Sequence, residues 1–438
     1  MRSLPQCGGF ANAEAGRGST SDTRRADVAT TTREAGKARG ASGDSFATAL
    51  KRTLDRPLTS YHIVLGVTGL LLCLGLLMVL SASSVSSLRE YGSSYAIFAR
   101  QAMWVAIAVP VAWVTSRLPH RAVRAMSWPA LLVSAGLIAM TYLPGFGVLV
   151  NGNRNWISFG GPFQLQPSEL AKLALVLWLA DVYARKGRLL REWRHLIVPM
   201  VPVSVVVVGL VVAQGDLGTA LVLFAIVLGM LWVVGAPARL FTGAFLITLV
   251  TAFALAATER ERVARLTSFV DPISEYGANG WQASHGFFAL ATGGLWGRGI
   301  GASSQKWGGL PEAHTDYIFA IIGEEFGLFG TLVVLALFAA LAYAGIRIAA
   351  RTKDRFVRFA SAGIVVWLLS QALINIGMVL GLLPVVGIPL PLISYGGSAL
   401  VPTLVALGLL MSFARHEPGA PAALRARRRT RWPVSGRT

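Results

Sequence analysis

Long apolar runs separated by short polar stretches dominate the chain from about residue 61 to residue 413. Each run is roughly 20 residues long, and a helix of that length crosses the hydrocarbon core of a bilayer. We therefore predict an all-α polytopic membrane protein with about ten transmembrane helices. The predicted spans are 61–82, 96–115, 128–147, 168–185, 196–213, 217–235, 238–257, 316–346, 359–380 and 393–413. A long external loop, 258–315, separates spans 7 and 8.

Both ends of the chain lack this apolar pattern. Residues 1–57 are rich in Ala, Gly, Ser, Thr, Arg and Asp, and such a segment buries too little surface to offset its ordering entropy. We predict a disordered N-terminal tail over 1–57, a transmembrane domain over 58–414 and a basic C-terminal tail over 415–438. The N-terminal segment does not resemble a secretory signal, because no apolar core follows a short basic start.

Composition agrees with a membrane protein and argues against nucleic-acid binding. The chain has 438 residues, of which 54% are hydrophobic and 14% charged, whereas a soluble domain carries about a quarter charged residues. The formal net charge of +19 comes from Lys and Arg in the tails and in short loops, with no folded basic domain to present them. We interpret these residues as topology signals and as contacts to anionic lipid headgroups.

The placement of basic residues predicts the orientation of the chain. The loops SRLPHRAVR, ARKGRLLREWRH and RIAARTKDRFVR are basic, and all fall on the same side of the membrane as the two tails. The opposite loops, such as QGDLG and GLLPVVGIPLPLIS, are almost free of Lys and Arg. The positive-inside rule therefore predicts a multi-pass protein of the cell membrane with both termini in the cytoplasm.

The stretch LPEAHTDYIFAIIGEEFG places three acids at and inside the eighth span. Asp316 lies at the external start of that span, where capping of the helix is one interpretation and chemistry is the other. If the helix continues through the stretch, Glu324 lies about 80° from Asp316 around its axis and Glu325 about 180° away. This projection lets Glu324, but not Glu325, line the same cavity as Asp316, and we expect Glu324 to support the cavity by pairing.

A second charged group lies in the stretch QPSELAKLALVLWLADVYARK. Pro167 suits the first helical turn, and Glu169 and Lys172 share a helix face three residues apart. They are expected to form an ion pair, which would also allow Lys172 to present a cation to a phosphate. Further polar candidates for substrate binding or cavity support are Arg100, Gln101, Arg154, Lys306, His314, Asn375 and Ser394.

These candidates converge on the external side, which predicts a site that opens outward. Prolines and glycines around the last two spans indicate broken helices or re-entrant backbone, and the run GFFALATGGLWG indicates a helix that lies at the interface or re-enters. We find no phosphate-binding P-loop motif and no Cys/His cluster with zinc spacing. Ser394 lacks an obvious His partner, so a serine nucleophile is not indicated.

Three stretches carry a family resemblance. NGNRNWISFGGPFQLQPSELAK, LPEAHTDYIFAIIGEEFG and INIGMVLGLLPVVGIPLPLISYGGS resemble, in order and spacing, the SEDS family (shape, elongation, division and sporulation) over about residues 60–413. Ala313 is typical of the division branch, and the polar tails resemble those of actinobacterial members. Two positions depart from the family pattern: Gly215 replaces a proline, and WQASHG replaces a Tyr-Gln-x-x-Gln-Ser motif.

The resemblance implies a ten-span fold and peptidoglycan glycosyltransferase activity on lipid II, the undecaprenyl-diphosphate-linked disaccharide pentapeptide, in septal cell-wall synthesis. It implies that Asp316 is the essential aspartate, that Glu169 and Lys172 are the family's Glu/Lys pair, and that Arg100 and Gln101 are its Arg-Gln pair. Asp316 would act as general base in a one-step inverting displacement, an effect worth about 10²–10⁴ in rate. Arg100, Lys172 or a divalent cation (Mg or Mn) would stabilise the departing diphosphate.

The implied partners are a class B penicillin-binding protein of the FtsI type, which would supply transpeptidation, and other divisome proteins. Two other functions remain open at this stage. A lipid II flippase would also need buried charges and a lipid-sized cavity, although flipping requires polar groups on both faces. A non-catalytic divisome scaffold would make Asp316 replaceable.

Overall fold

The structure, a computed structural model, describes residues 56–150, 153–158, 160, 164–257, 263–264, 269, 272–274, 276 and 280–431. The predicted N-terminal tail lies outside these residues except for its last two positions. Much of the first part of the predicted external loop, between residues 258 and 280, also lies outside them.

Each predicted span overlaps one long helix, although the third helix ends at Met140, seven residues before the predicted end of its span, and a short α-helix precedes the fifth. The helices are α1 (Thr59–Tyr91), α2 (Ala96–Thr115), α3 (His120–Met140), α4 (Pro167–Lys186), α5 (Trp193–Ile197), α6 (Met200–Ala213), α7 (Leu217–Val234), α8 (Ala238–Ala256), α9 (Trp281–Gly293), α10 (Ile318–Arg351), α11 (Arg355–Val379), α12 (Gly397–Ala414) and α13 (Ala420–Arg431). Helix α13 lies in the predicted basic C-terminal tail.

Helix α4 is the centre of the bundle. It packs against α3, α7, α11 and α12, and nearly all of its residues up to Tyr183 are buried. In the described part of the chain, nine helical stretches are long and apolar enough to cross a membrane, and α4 is not one of them. Glu169, Lys172 and Asp181 make it too polar for that criterion, and the surrounding helices shield those charges from the bilayer.

A small antiparallel sheet precedes α4, where only a polar loop was predicted. Its strands are β1 (Gly147–Val150), β2 (Asn153–Ser158) and β3 (Gln164–Leu165), paired in the order β1-β2-β3. Burial alternates along β2, as the two-residue period of a strand requires: Asn155 and Ile157 are buried, whereas Arg154 is exposed. The sheet therefore presents alternate side chains at the end of the bundle where α4 begins.

Helix α10 is broken at Gly327, whose φ of 68° and ψ of −162° are not helical. The chain that follows α9 enters this break. The backbone N–H groups of Arg298 and Gly299 donate to the carbonyls of Glu324 and Glu325 at 3.0 Å each, and these are carbonyls that the break removes from the helix ladder. Such pairing is what allows irregular backbone inside a membrane bundle.

The N–H groups that follow the break donate back to the chain after α9, and this close approach of two backbones requires glycine at the break. Leu328 N–H donates to the carbonyl of Gly294 at 2.9 Å, and Phe329 N–H donates to that of Leu295 at 3.3 Å. A Cβ at Gly327 would meet the backbone nitrogen of Gly297, so the approach requires glycine. Helix α9 and residues 294–310 therefore form a re-entrant segment beside the first half of α10, in line with the helix predicted from GFFALATGGLWG.

Candidate active site

A cavity of about 1370 Å³ opens at the end of the bundle where α4, α7, α10 and α12 begin. We call this the cavity end. Helix α8 contributes the apolar side chains of Leu249 and Phe253 to the cavity wall. The polar lining residues include Glu312, Asp316, Tyr395, Ser398, Arg154, Gln166 and Asp216. The cavity is thus polar where several loops meet and apolar where it borders a lipid-facing helix.

Asp316 lies in the wall of this cavity, on a turn before α10. Residues 311–317 form turns, and α10 begins only at Ile318. Its N-cap position is Tyr317, so Asp316 lies one residue before the helix end rather than at the N-cap itself. Asp316 is half-buried, and its carboxylate belongs to the cavity rather than to the helix end.

Three consecutive backbone carbonyls hold the Asp316 turn in place. Tyr395 N–H donates to His314 O at 2.9 Å, Ser394 Oγ donates to Thr315 O at 2.6 Å, and Asn375 Nδ2 donates to Asp316 O at 2.8 Å. Because successive peptide groups are each fixed, the direction in which Asp316 leaves the backbone is fixed as well. The predicted support roles of Asn375 and Ser394 have a geometric basis here.

The loop that supplies two of those donors is itself anchored by Gln101. Gln101 Nε2 donates to Ser394 O at 3.4 Å, and Gln101 Oε1 accepts from Gly396 N–H at 3.3 Å. The Ser394 hydroxyl also accepts from Leu390 N–H at 2.8 Å. Ser394 is buried and its hydroxyl is used twice, which agrees with the prediction that it is not a nucleophile.

Residues 384–389 form the part of the cavity wall that faces the Asp316 carboxylate; we call them the wall segment. They contain no helix or strand. A Cβ placed on Gly387 would lie 3.4 Å from Asp316 Oδ2, so the backbone of this glycine runs directly beside the carboxylate. The position of the wall segment therefore sets the shape of the cavity around Asp316.

Glu169 and Lys172 form the ion pair that the sequence predicted. Lys172 Nζ lies 2.8 Å from Glu169 and also donates to Gln371 Oε1 at 2.9 Å. Lys172 is only 1% exposed and is absent from the described wall of the cavity. The suggestion that it presents its charge to a phosphate was therefore wrong for this arrangement, because its ammonium group is enclosed by protein partners.

The two arginines of the prediction differ in position. Arg100 donates to the Tyr91 hydroxyl at 3.2 Å and lies 4.4 Å over the Tyr91 ring, outside the described cavity wall. Arg154 projects from β2 into the wall. Neither Arg100 nor Lys172, the side chains predicted to stabilise the diphosphate, lies in the described wall, whereas Arg154, predicted for substrate binding or cavity support, does.

The projection that let Glu324 line the cavity was wrong. It assumed one continuous helix through Asp316, whereas Asp316 lies on a turn and the 80° projection does not apply. Glu324 is fully buried and accepts from Ser303 Oγ, from Ser304 Oγ at 2.7 Å and from Ser304 N–H at 2.8 Å. Glu324 therefore pairs with the re-entrant segment, and its predicted support role has a geometric basis here.

Glu325 and Lys306 form a neighbouring buried group. Lys306 Nζ lies 3.6 Å from Glu325 Oε1, which also accepts from Ser81 Oγ at 2.6 Å. Lys306 likewise donates to the carbonyl of Gly301. Glu325 thus has a structural role that the sequence did not suggest, and Lys306 supports the re-entrant segment without reaching the described cavity wall.

Asp216 is a polar residue of the cavity that the sequence analysis did not select for the site. It caps α7 by accepting from Thr219 N–H at 2.9 Å, and its other oxygen accepts from Gln166 Nε2 at 2.7 Å and Asn155 Nδ2 at 3.3 Å. It ties β2, the start of α4 and the start of α7 together. The detectable signal was an Asp immediately before an apolar run, which is a helix-start pattern.

The described residues do not form a metal site on their own. No group of three or more His, Cys, Asp or Glu side chains among them is close enough to hold a metal ion. A divalent cation (Mg or Mn) therefore remains a prediction.

The comparisons with known proteins all indicate the same family. The sequence model of the family described as "Cell cycle protein" (FtsW, RodA and SpoVE) matches residues 61–418. The chain is 42% identical over 375 residues to the probable peptidoglycan glycosyltransferase FtsW of Mycobacterium tuberculosis, covering 86% of this chain and 71% of that protein. It is 36% identical over 350 residues to stage V sporulation protein E of Bacillus subtilis, covering 80% and 95%.

Two solved structures share the fold. One is a chain from work on the structural coordination of polymerization and crosslinking by a peptidoglycan synthase complex, with a TM-score of 0.66 and 28% identity over 81% of this chain and 97% of that chain. The other is the rod shape determining protein RodA of Thermus thermophilus, with a TM-score of 0.59 and 27% identity over 81% and 96%.

Proposed function

The chain belongs to the SEDS family of cell cycle proteins that includes FtsW, RodA and SpoVE, and we propose that it polymerises lipid II with Asp316 as general base. It is a multi-pass membrane protein and a peptidoglycan glycosyltransferase of the FtsW kind. The observation that carries the residue assignment is the Asp316 carboxylate in the wall of a large cavity, on a turn whose three carbonyls are each held by a donor.

The reaction needs a base at this position. The acceptor sugar's 4-hydroxyl loses its proton to the Asp316 carboxylate as its oxygen attacks the anomeric carbon of the lipid-linked chain. The bond from that carbon to the diphosphate oxygen breaks in the same step, and the electron pair leaves with the diphosphate. A single displacement inverts the anomeric centre, so an α-linked donor gives a β-linked product. General-base assistance of this kind is typically worth about 10²–10⁴ in rate.

The diphosphate and the polyprenyl chain of the donor need different surroundings, a cation for the first and an apolar surface for the second, and the cavity wall contains both. The leaving diphosphate gains negative charge, which Arg154 on β2 is placed to stabilise. The polyprenyl chain needs an apolar surface that is continuous with the bilayer. Leu249 and Phe253 of α8 supply it, and α8 has no buried residue, so this wall is open to lipid.

This assignment agrees with the orientation predicted from the basic loops. We propose that the cavity end faces away from the cytoplasm and that both termini are cytoplasmic. The substrate would then be used after it has been moved to the outer leaflet. We further propose that the enzyme acts at the division septum with a class B penicillin-binding protein, since the neighbour with the higher TM-score comes from a complex that couples polymerization to crosslinking.

The test is lipid II polymerisation in detergent by the purified protein with its cognate penicillin-binding protein, whose transpeptidase is blocked by a β-lactam. Detergent removes the two-sided membrane, so flipping contributes nothing to product formation. A ladder of linear glycan strands is the expected result. If the complex is intact and no glycan forms, polymerisation is not the function, and a flippase or a divisome scaffold becomes the better explanation.

A further inference from the structure

Helix α11 carries two buried amides one turn apart, Gln371 and Asn375, and both face the wall segment. Asn375 contacts the Asp316 turn directly, as described above. Gln371 is the residue to which the Glu169–Lys172 ion pair is joined. Its contacts link the ion pair to the wall of the cavity.

The wall segment needs these amides because it has no regular structure. Its carbonyl groups have no helix or strand partners, and unpaired carbonyls are costly in the interior of a membrane bundle. Gln371 Nε2 donates to Pro389 O at 3.0 Å, and Asn375 Nδ2 donates to Ile388 O at 2.7 Å. Gly387, which borders the Asp316 carboxylate, immediately precedes these two anchored residues.

The ion pair determines which way the Gln371 amide points. Gln371 Oε1 accepts from Lys172 Nζ at 2.9 Å and from Trp367 Nε1 at 3.0 Å. Both groups only donate, so they require the oxygen of the amide on their side. The NH₂ group is thereby directed at Pro389 O. A flipped amide would set NH₂ against two donors and its oxygen against a carbonyl.

We infer that Gln371 is a positioning residue: the Glu169–Lys172 ion pair orients its amide, and the amide holds the wall segment in place beside Asp316. The path runs from Glu169 to Lys172, through the Gln371 amide to Pro389, and along the wall segment to Gly387. On this account the buried ion pair raises kcat without contacting the substrate. The inference rests on the proposed function, because it names a further residue of the same site.

The variant that tests it is Gln371→Met, which keeps the length of the side chain and removes all three hydrogen bonds. A wall displaced by less than about 1 Å is expected to lower kcat by roughly 10- to 100-fold, with KM changed by no more than about twofold. Gln371→Glu retains an acceptor for Lys172 but sets a second oxygen against Pro389 O, so it is expected to lose kcat as well.

Ser370→Ala is the matched control. Ser370 is the adjacent residue on α11, and its hydroxyl donates within its own helix to Trp367 O at 3.0 Å. It should keep the wild-type kcat. A merely structural role for Gln371 would reduce the yield of folded complex and leave kcat per folded molecule unchanged. That result would overturn the inference.

A double variant tests the path itself. Glu169→Gln/Lys172→Met removes both charges, and adding Gln371→Met to it should lower kcat by a smaller factor than Gln371→Met does in the wild-type background, since part of the effect of Gln371 passes through the ion pair. Losses that multiply would mean that Gln371 acts independently of the ion pair, against the inference.

Hydrogen–deuterium exchange gives a readout that does not need catalysis. The amides of Leu390 and Tyr395 donate to Ser394 Oγ and His314 O, so both report on the loop anchored to the wall segment. They should exchange faster in Gln371→Met than in Ser370→Ala. Equal exchange would overturn the inference even if the wild-type protein made no glycan, whereas a failure of wild-type polymerisation alone would count against the proposed function.

Discussion

Helix α4 carries a buried ionic group at each end, and the two groups have different surroundings. At the cavity end, Glu169 and Lys172 are enclosed, and Lys172 continues to the Gln371 amide. At the opposite end, Asp181 accepts from Arg124 Nε at 2.7 Å and from Arg185 Nε at 2.8 Å. The first group is connected through Gln371 to the wall segment beside Asp316, and the second joins α3 to α4.

The two ionic groups also differ in how far their charged side chains are exposed to water. Asp181 is fully buried, but the side chains of Arg124 and Arg185 are 37% and 62% exposed, so their charges remain partly hydrated. Lys172 has no such access to water. The comparison suggests that the opposite end uses charge to hold helices together, whereas the cavity end uses it to hold a surface in the shape that the reaction needs.

The largest effect is expected from Lys172→Met, which leaves the Glu169 carboxylate buried without its cation. Removing one partner of a buried pair typically costs about 3–5 kcal/mol in the free energy of unfolding. Reversible unfolding in mixed micelles measures that cost. Polymerisation per folded molecule should also fall, because Gln371 loses one of the donors that orient it.

The double variant Glu169→Gln/Lys172→Met separates these two consequences. It removes the unpaired charge, so most of the lost stability should return, while turnover should stay low. If turnover returned together with stability, the cavity-end pair would be a helix fastener like the Asp181 group, and the contrast between the two ends would disappear.

A smaller effect is expected from Asp181→Asn. The two arginines that lose their partner already reach water, so the cost should be roughly 1–2 kcal/mol of unfolding free energy. Turnover per folded molecule should match wild type. A loss of turnover comparable to that of the Lys172 variant would show that the opposite end also controls the site.

The smallest expected effect concerns His314, on the turn that carries Asp316. Burial lowers the pKa of His314, and the nearby Glu312 and Glu90 offset this only in part. Unfolded His has a pKa of about 6.5, so the unfolded state takes up the proton first as pH falls. Stability should therefore decline below about pH 6.5, by at most about 1.4 kcal/mol per pH unit for one proton.

His314→Gln tests this assignment by comparison of thermal unfolding between pH 7.5 and 5.5. The variant should show a shallower decline than wild type over that interval. An identical decline in both proteins would place the titration elsewhere in the molecule.

The sequence was most informative where a single local rule decides the structure. Run length predicted the ten spans, and a spacing of three on one helix face predicted the Glu169–Lys172 pair. The Glu324 prediction failed because local periodicity does not reveal that the helix starts after Asp316. The break at Gly327 was missed because backbone groups from residues 294–299 fill it, and backbone pairing between distant segments leaves no side-chain pattern.

The same limit explains Gln371. Its role depends on an amide orientation set by Lys172 and Trp367 and on a carbonyl 18 residues away in sequence. The three-stranded sheet was missed because its strands are short and glycine-rich turns surround them. It was the structure that placed Arg154, rather than Lys172, in the cavity wall.

The most direct test of the central claim compares two acids within one assay: lipid II polymerisation by wild type, Asp316→Asn and Asp181→Asn, each in complex with the penicillin-binding protein. Both substitutions keep side-chain size and remove a carboxylate. We predict that Asp316→Asn folds, forms the complex and makes no detectable glycan, while Asp181→Asn polymerises at the wild-type rate per folded molecule. Wild-type polymerisation by folded Asp316→Asn would contradict the account, because no carboxylate would then be needed where the cavity presents one.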